Sequence, residues 1–326
     1  MVELQAFRVG HLAALVELWN RGLVGGPNFI EIGEADFVRR VVSATGFRPE
    51  RVLLAVAADR VLGFVHFGPR LEVWEEAERP REQREEGQIY ALVTPPSEQQ
   101  LRQALLDEAV TRLSDLGATR VLLSPSWVFG AQPMYNGIAG AYEIPGLSDT
   151  RHELIETATA AGFAPIAEYG TPELDLSDGG RLETLRAEGR RLRERARAWG
   201  LEERPRSLKP TFFSRRRAVT LARGHDVIAM AAYGPWEEYA RQYGRHIFGI
   251  TSVQVEQPWR GRGLGKLVMV LALEAAREAG AEALHLHVYR ANQIAWNLYH
   301  QALGFQPKWR WVTLAKDTAP SQVSSG

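Results

Sequence analysis

Arg260-Gly261-Arg262-Gly263-Leu264-Gly265, followed by Lys266, sets three glycines at the entrance of the strongly helix-forming run KLVMVLALEAAREAG. Glycine destabilises a helix by roughly 0.5–1 kcal/mol relative to alanine, so three of them need another reason. A strand, then this loop, then a helix lets successive backbone N–H groups point at one spot before the helix N-terminus, and that spot favours an anion. Arg260, Arg262 and Lys266 add mobile positive charge, which suits a pyrophosphate better than a lone carboxylate. The rival reading is a tight turn that serves only close helix packing. Three other phosphate or nucleic-acid motifs fail on detail. A Walker loop needs Ser or Thr after Gly-Lys, and Gly265-Lys266 is followed by Leu267. A dinucleotide fingerprint needs GxGxxG after a domain's first strand, not GxGxG after a hairpin. An RNA-binding RGG segment would be repeated and disordered, whereas this one leads into an apolar helix.

Other groups able to do chemistry are few. His285 and His287 alternate with Leu286, so they point to one face of a strand, and histidine changes protonation near neutral pH. The chain has no cysteine, which excludes thiol nucleophiles, disulfides and thiolate metal sites. Lys plus Arg and Asp plus Glu both number 39, so no global field draws the chain to nucleic acid or an anionic membrane. The arginine-rich segment 179–199 carries interspersed glutamates, with Leu182, Leu185 and Leu192 on one stripe, and reads as a solvated helix. The longest apolar run, Leu267 to Leu273, falls far short of the ~20 residues a membrane-spanning helix needs. With no secretion-signal pattern at the N-terminus, the expectation is a soluble, cytoplasmic protein.

The elements that must position these residues occur twice. Residues 103–123 and 266–286 share one ungapped pattern at an offset of 266 − 103 = 163: an apolar-periodic helix, a glycine (Gly117, Gly280), two linking residues and a β-type run. Each follows a strand, QIYALV (88–93) or IFGITSVQV (247–255), and each strand follows a hairpin signal, with turns at Ala58-Asp59 and Arg223-Gly224. AAGFAP (160–165) matches ALGFQP (302–307). A 326-residue chain duplicated at this length predicts two α/β domains, 1–175 and 176–316, each a mixed, mostly antiparallel sheet flanked by helices, with a disordered polar tail at 317–326. Residues 135–155 are the main insertion of the first half, either a cover for an acceptor cleft or a surface elaboration.

The loop from Arg260 to Gly265 resembles the (Q/R)xxGx(G/A) pyrophosphate loop of the GNAT family of N-acyltransferases. Downstream, Asn292, Ala295, Leu298 and Tyr299 fit that family's NxxAxxLY helix, followed by Gly304-Phe305. One departure stands out: Tyr299 lies five residues before Gly304 where four are expected, which implies a bulge or a longer helix end. The motifs cover about 215–315, and the duplication extends the fold to the first half, as a tandem pair of GNAT-like domains.

The resemblance implies transfer of an acyl group, with acetyl-CoA the expected donor and no metal, to the primary amine of a small molecule or peptide. The amides of Gly261, Arg262, Gly263, Leu264, Gly265 and Lys266, with Arg260, would hold pyrophosphate; the backbone of Val253, Gln254 and Val255 would pair with the pantetheine arm near Asn292; Tyr299 would be the general acid. The strand before the loop carries no carboxylate, so the general base is unassigned among His246, His285, His287, Glu237 and Glu238. At the 163 offset, Arg260, Gly263 and Gly265 fall on Ser97, Gln100 and Arg102, and the Gly-Phe match places Thr157 opposite Tyr299. The first domain is therefore expected to be a degenerate scaffold. The competing expectation is a non-catalytic acyl-CoA sensor, and acceptor identity and oligomeric state stay open.

Overall fold

Apolar alternation folds RVLLAVAADRVLGFVHFGP back on itself at Ala58-Asp59, which take φ of +47° and +59°. Both central residues are left-handed, the sense that matches the twist of paired strands. The computed structural model describes residues 2–44, 46–72, 81–124, 133–143, 145–209 and 215–318. In chain order the first half contains β1 (Glu3–Ala6), α1 (Leu12–Leu23), α2 (Glu34–Phe37), β2 (Val52–Ala57), β3 (Arg60–Glu72), β4 (Arg81–Val93), α3 (Gln99–Asp115), β5 (Arg120–Leu123), β6 (Leu147–Ser148), α4 (His152–Ala160) and β7 (Ala164–Asp175). The second contains α5 (Gly179–Ala198), β8 (Glu202–Leu208), β9 (Arg216–Arg223), β10 (Asp226–Pro235), α6 (Glu237–Tyr243), β11 (Ile247–Val255), α7 (Leu264–Glu278), β12 (Ala283–Leu286), β13 (Val288–Tyr289), α8 (Gln293–Asn297) and β14 (Gln306–Asp317). The first hairpin, both copies of the strand-helix-strand unit and the leucine-striped helix α5 form where the sequence places them; the second hairpin forms with its turn one residue later, at Gly224-His225, because Arg223 is itself paired, opposite Asp226.

The chain forms two compact units: Met1–Glu168 with the segment from Trp311 onward, and Tyr169–Arg310. The repeat and the units are therefore cut differently. Residues 169–175 of β7 go with the second unit, and 311–317 of β14 with the first. Equal segments in a sequence mark where copies align, whereas strand partners are chosen in three dimensions. Asp317 and Thr318, the first residues of the expected tail, are ordered by pairing: Asp317 lies opposite Arg120, and Thr318 N–H donates to Thr119 O at 2.8 Å. The rest of that tail lies outside the described residues.

In the first unit β1, β2, β3 and β4 pair antiparallel, β4 runs parallel to β5 through the α3 crossover, and β14 closes beside β5 with Leu314 opposite Leu123. Leu105, Leu106, Ala109 and Leu113 of α3 bury against Val65, Ile89 and Val121 of the sheet. In the second unit the order is β7, β12, β11, β10, β9, β8, with only β11 and β12 parallel. Leu267, Val268, Val270 and Leu271 of α7 pack on Ala229, Ala231, Ile250 and Leu284, and α5 lays Leu182 and Leu185 against α7. Each parallel pair is a strand-helix-strand crossover whose helix N-terminus faces the end of its first strand. Among the described residues no helix is long and apolar enough to cross a membrane, and no group of three or more His, Asp and Glu is placed to hold a metal.

Candidate active site

The three glycines of the loop between β11 and α7 do different things. Gly261 and Gly263 take φ of +75° and +82°, the left-handed region in which a Cβ is strained. A Cβ on Gly263 would also sit 2.9 Å from Leu192 Cδ2 of α5. Gly265 is already inside α7, and a Cβ there would meet only Leu298 Cδ2 at 3.6 Å and Val255 Cγ2 at 3.7 Å, ordinary contact distances. Neither backbone nor protein neighbours require glycine at 265. The space in front of it is bordered by β11 through Val255 and by the Tyr299 segment through Leu298.

Around that space, hydrogen-bonding capacity is left open. None of the N–H groups from Gly261 to Lys266 donates to a backbone carbonyl among the described residues, and the first helical bond is Leu267 N–H to Gly263 O at 3.0 Å. β11 pairs with β12 only from Ile247 to Ile250, so Thr251 to Val255 diverge from it. Glu256 N–H donates to Ile228 O at 2.9 Å, which turns Gln254 toward β10 as well, opposite Met230. Strand alternation then aims the peptide groups of Val253 and Val255 at the open side. Of the three expected pantetheine residues, Gln254 is thus committed to β10, and the carbonyl of Val255 accepts from Arg260 Nε at 3.0 Å. Val253 keeps both groups and Val255 its N–H.

The loop's positive charges are tethered. Lys266 pairs with Glu188, and Arg262 lies over Trp259 at 5.0 Å and Trp199 at 5.6 Å. Asn292 caps α8, its Oδ1 accepting from Ala295 N–H at 3.1 Å, which leaves its amide NH₂ for any other contact. An anion here would be held first by amides and a helix end. A group with a diphosphate and an amide-bearing arm fits: the wedge at Gly265 admits what a Cβ would exclude, and the bare edge of β11 offers peptide groups beside it.

Tyr299 belongs to a π-helical turn, Leu298–Leu303, that ends at Gly304 with φ of +81°. This turn is the extra residue expected from the five-residue spacing. Phe305 N–H donates to Tyr299 O at 3.0 Å, and the Tyr299 ring packs edge-on against Phe305. Burial pushes the phenol up to about 12, so it stays protonated at neutral pH. No described side chain hydrogen-bonds its hydroxyl.

The base candidates divide by position. His246, Glu237 and Glu238 lie at the start of β11 or on α6, whose entry is tied to that strand's beginning by Trp236 N–H to Ile247 O at 2.8 Å. That is the opposite end of β11 from the glycine loop, so the structure does not bring them to Tyr299. Leu284 and Leu286 join the core against α7, and His285 and His287 take the other face, as alternation requires. Both are buried. Burial pushes His287 down to about 3 and His285 below its ordinary value. His287 Nδ1 lies 2.7 Å from Thr171 Oγ1, and His285 Nε2 hydrogen-bonds Glu173.

Glu173 is a residue that sequence reasoning missed. The carboxylate absent from β11 is brought to this face by β7, where Glu173 lies opposite His285 and also accepts from Arg245 at 2.9 Å and from Lys308. Burial alone would raise its pKa, but the hydrogen bonds from His285, Arg245 and Lys308 outweigh that and hold the carboxyl well below the usual carboxylate range. A carboxylate so fully donated to is an anchor, and a poor base. Its pairing with residue 285 across 112 positions leaves no local signal in the sequence.

Comparison with known proteins bears on the family and the fold. Residues 187–305 match the family model for acetyltransferases of the GNAT family. Over 99% of its length the chain is similar in structure to a tandem GNAT protein from the clavulanic acid biosynthesis pathway (100% of that chain, 16% identity, TM-score 0.63). Over 97% it is similar to a GCN5-related N-acetyltransferase from Sphaerobacter thermophilus (95% of that chain, 13% identity, TM-score 0.58). It also covers 38% of a fungal multi-domain β-N-acetylglucosaminidase that contains a glucosamine N-acetyltransferase region (97% of this chain, 13% identity, TM-score 0.62). No curated protein sequence matches the chain. Residues 187–305 thus match the GNAT acetyltransferase family, and the chain as a whole has the fold of tandem GNAT proteins.

Proposed function

We propose that the chain is an N-acyltransferase that uses acetyl-CoA to acylate the primary amine of a small molecule or peptide, and that its second unit alone does so. One observation carries the reading: Gly265 has no backbone or packing need to be glycine, yet it faces unspent N–H groups and the bare edge of β11. The amides from Gly261 to Lys266 hold the diphosphate, and Val253 with the N–H of Val255 aligns the pantetheine arm. In the reaction the neutral amine nitrogen bonds the thioester carbonyl carbon and gives up a proton to water, the carbon–sulfur bond breaks, and the sulfur leaves with the electron pair. Tyr299, protonated across the physiological range, donates a hydrogen bond to that sulfur as its charge grows.

The first unit supports the restriction to one site. At the positions of Gly265 and Tyr299 it carries Arg102 and Thr157, and Arg102 is almost fully buried. Its guanidinium reaches Thr157 Oγ1 at 3.1 Å, Thr94 Oγ1 at 3.0 Å and the carbonyls of Pro95 and Pro96 at 3.3 and 3.2 Å. The side chain fills the place a phosphate would need.

Calorimetric titration of acetyl-CoA into the wild-type chain and Gly265→Glu tests the reading. One site, weakened at least tenfold in the variant, supports it; no binding, or binding indifferent to the substitution, overturns it. The second reading, an acyl-CoA sensor without turnover, is favoured by the absence, among the described residues, of a free base beside the open edge. Binding without transfer across a broad amine panel, and no effect of Tyr299→Phe, would select it.

A further inference from the structure

In the first unit one edge of β4 is open past Ile89 among the described residues. β4 and β5 pair in parallel from Glu86 to Ile89, with one more bond from Ser124 N–H to Ile89 O at 2.9 Å, and β4 then runs on to Val93. A cavity of about 260 Å³ lies beside that edge. Trp19, Phe29, Leu92, Leu147 and Trp311 line its apolar part, and the segment from Leu23 to Gly26 forms its rim. Part of the insertion at 135–155 contributes to the wall.

One corner of this cavity is ionic. Arg151 and Glu153, at the start of α4, have side chains only 13% and 22% exposed and bond each other through Nε and Oε1 at 2.8 Å. One Nη of Arg151 also reaches Leu92 O, at 3.4 Å, on the bare edge of β4. Among the described residues nothing meets the other Nη of Arg151 or Oε2 of Glu153. The corner therefore presents one positive donor and one negative acceptor side by side, beside apolar walls, with the bonded guanidinium of Arg102 acting on both from behind. A lone anion would meet Glu153, and a lone cation would meet Arg151; both would be desolvated at a net cost. A ligand that carries both charges on adjacent atoms satisfies both partners.

We infer that the first unit binds an α-amino acid with an apolar side chain, its carboxylate on Arg151, its ammonium on Glu153 and its side chain toward Trp19 and Trp311. The size agrees, since a cavity of ~150 Å³ holds a single benzene ring and drug-sized ligands occupy ~300 Å³ or more. This assignment does not depend on acyl transfer by the second unit.

The test is titration of L-phenylalanine, 3-phenylpropionate and phenethylamine into the full chain, followed by calorimetry. The expected result is one phenylalanine per chain, with each single-charge analogue at least tenfold weaker. Arg151→Met and Glu153→Gln should each weaken phenylalanine at least tenfold, with the thermal midpoint showing that the fold persists. Ala139→Phe, which fills the cavity from a half-exposed position on its wall, should abolish binding even if the first two variants fold poorly. No phenylalanine binding at 10 mM, equal binding of all three probes, or binding indifferent to these substitutions would overturn the assignment.

Discussion

Two glycines two residues apart separate conformational need from ligand need. Gly263→Ala forces a Cβ into a left-handed backbone and within 2.9 Å of Leu192, so it should lower stability by about 1–2 kcal/mol in denaturant titration. Gly265→Ala meets no such obstacle and removes glycine's entropic penalty inside α7, so its unfolding free energy should hold or rise by up to about 1 kcal/mol, while acetyl-CoA affinity falls. Opposite signs on stability and binding would mark position 265 as reserved for a ligand. At Tyr299 the expected effect is on rate: Phe should cut kcat by about 10²-fold or more and leave acetyl-CoA affinity within twofold. Because burial holds the phenol up to about 12, the wild-type enzyme should show no alkaline loss of kcat from this group below about pH 10. The loop's left-handed glycines and the extra residue after Tyr299 were legible in sequence because both are local, in a run of glycines and one helix. Arg102 was legible only as a missing glycine, since the bonds that make it a plug run to Thr157 and to prolines on a neighbouring loop.

At the scale of elements, the Glu173 cluster ties four segments together: β7, β12, β14 and the turn before β11. Its carboxyl is held below its ordinary range in the folded protein, so the stabilisation is fully present above the unfolded carboxylate value and is lost as pH falls through the depressed folded value. Glu173→Gln should therefore cost about 2 kcal/mol at pH 7, less than the ~3–5 kcal/mol of a fully enclosed broken pair because solvent reaches the edge of the cluster. The deficit should shrink in strongly acidic buffer, and a pH-independent deficit would refute the electrostatic account. The π-helical turn at Leu298–Leu303 is the other device of this scale. A five-residue spacing requires an extra residue to be absorbed between Tyr299 and Gly304, and the spacing could be counted in the sequence, whereas the kind of turn could not. Strand alternation likewise placed His285 and His287 on one face but said nothing of β7, whose carboxylate occupies it.

For the whole molecule, internal repetition gave the number of domains and the order of elements within each, because both copies keep the same helix and hairpin signals. It did not give the partners of the last strands, since β7 and β14 both follow the same Gly-Phe signal and could close either sheet. Leu314 and Trp311 are nonetheless buried in the first unit, opposite or beside Leu123 and Ser148. A chain ending at Arg310 should lose the cooperative melting of the first unit in calorimetry. The same arrangement bears on the order of events during synthesis. Domains are commonly folded from the N-terminus as they emerge, at ~5–20 residues per second. Here residues 1–168 must wait, incomplete along β5, until residues 311–317 have been made. The half of the protein that is translated first is finished last, so a growing chain stalled anywhere before Trp311 exposes a raw strand edge that a chaperone would have to shield.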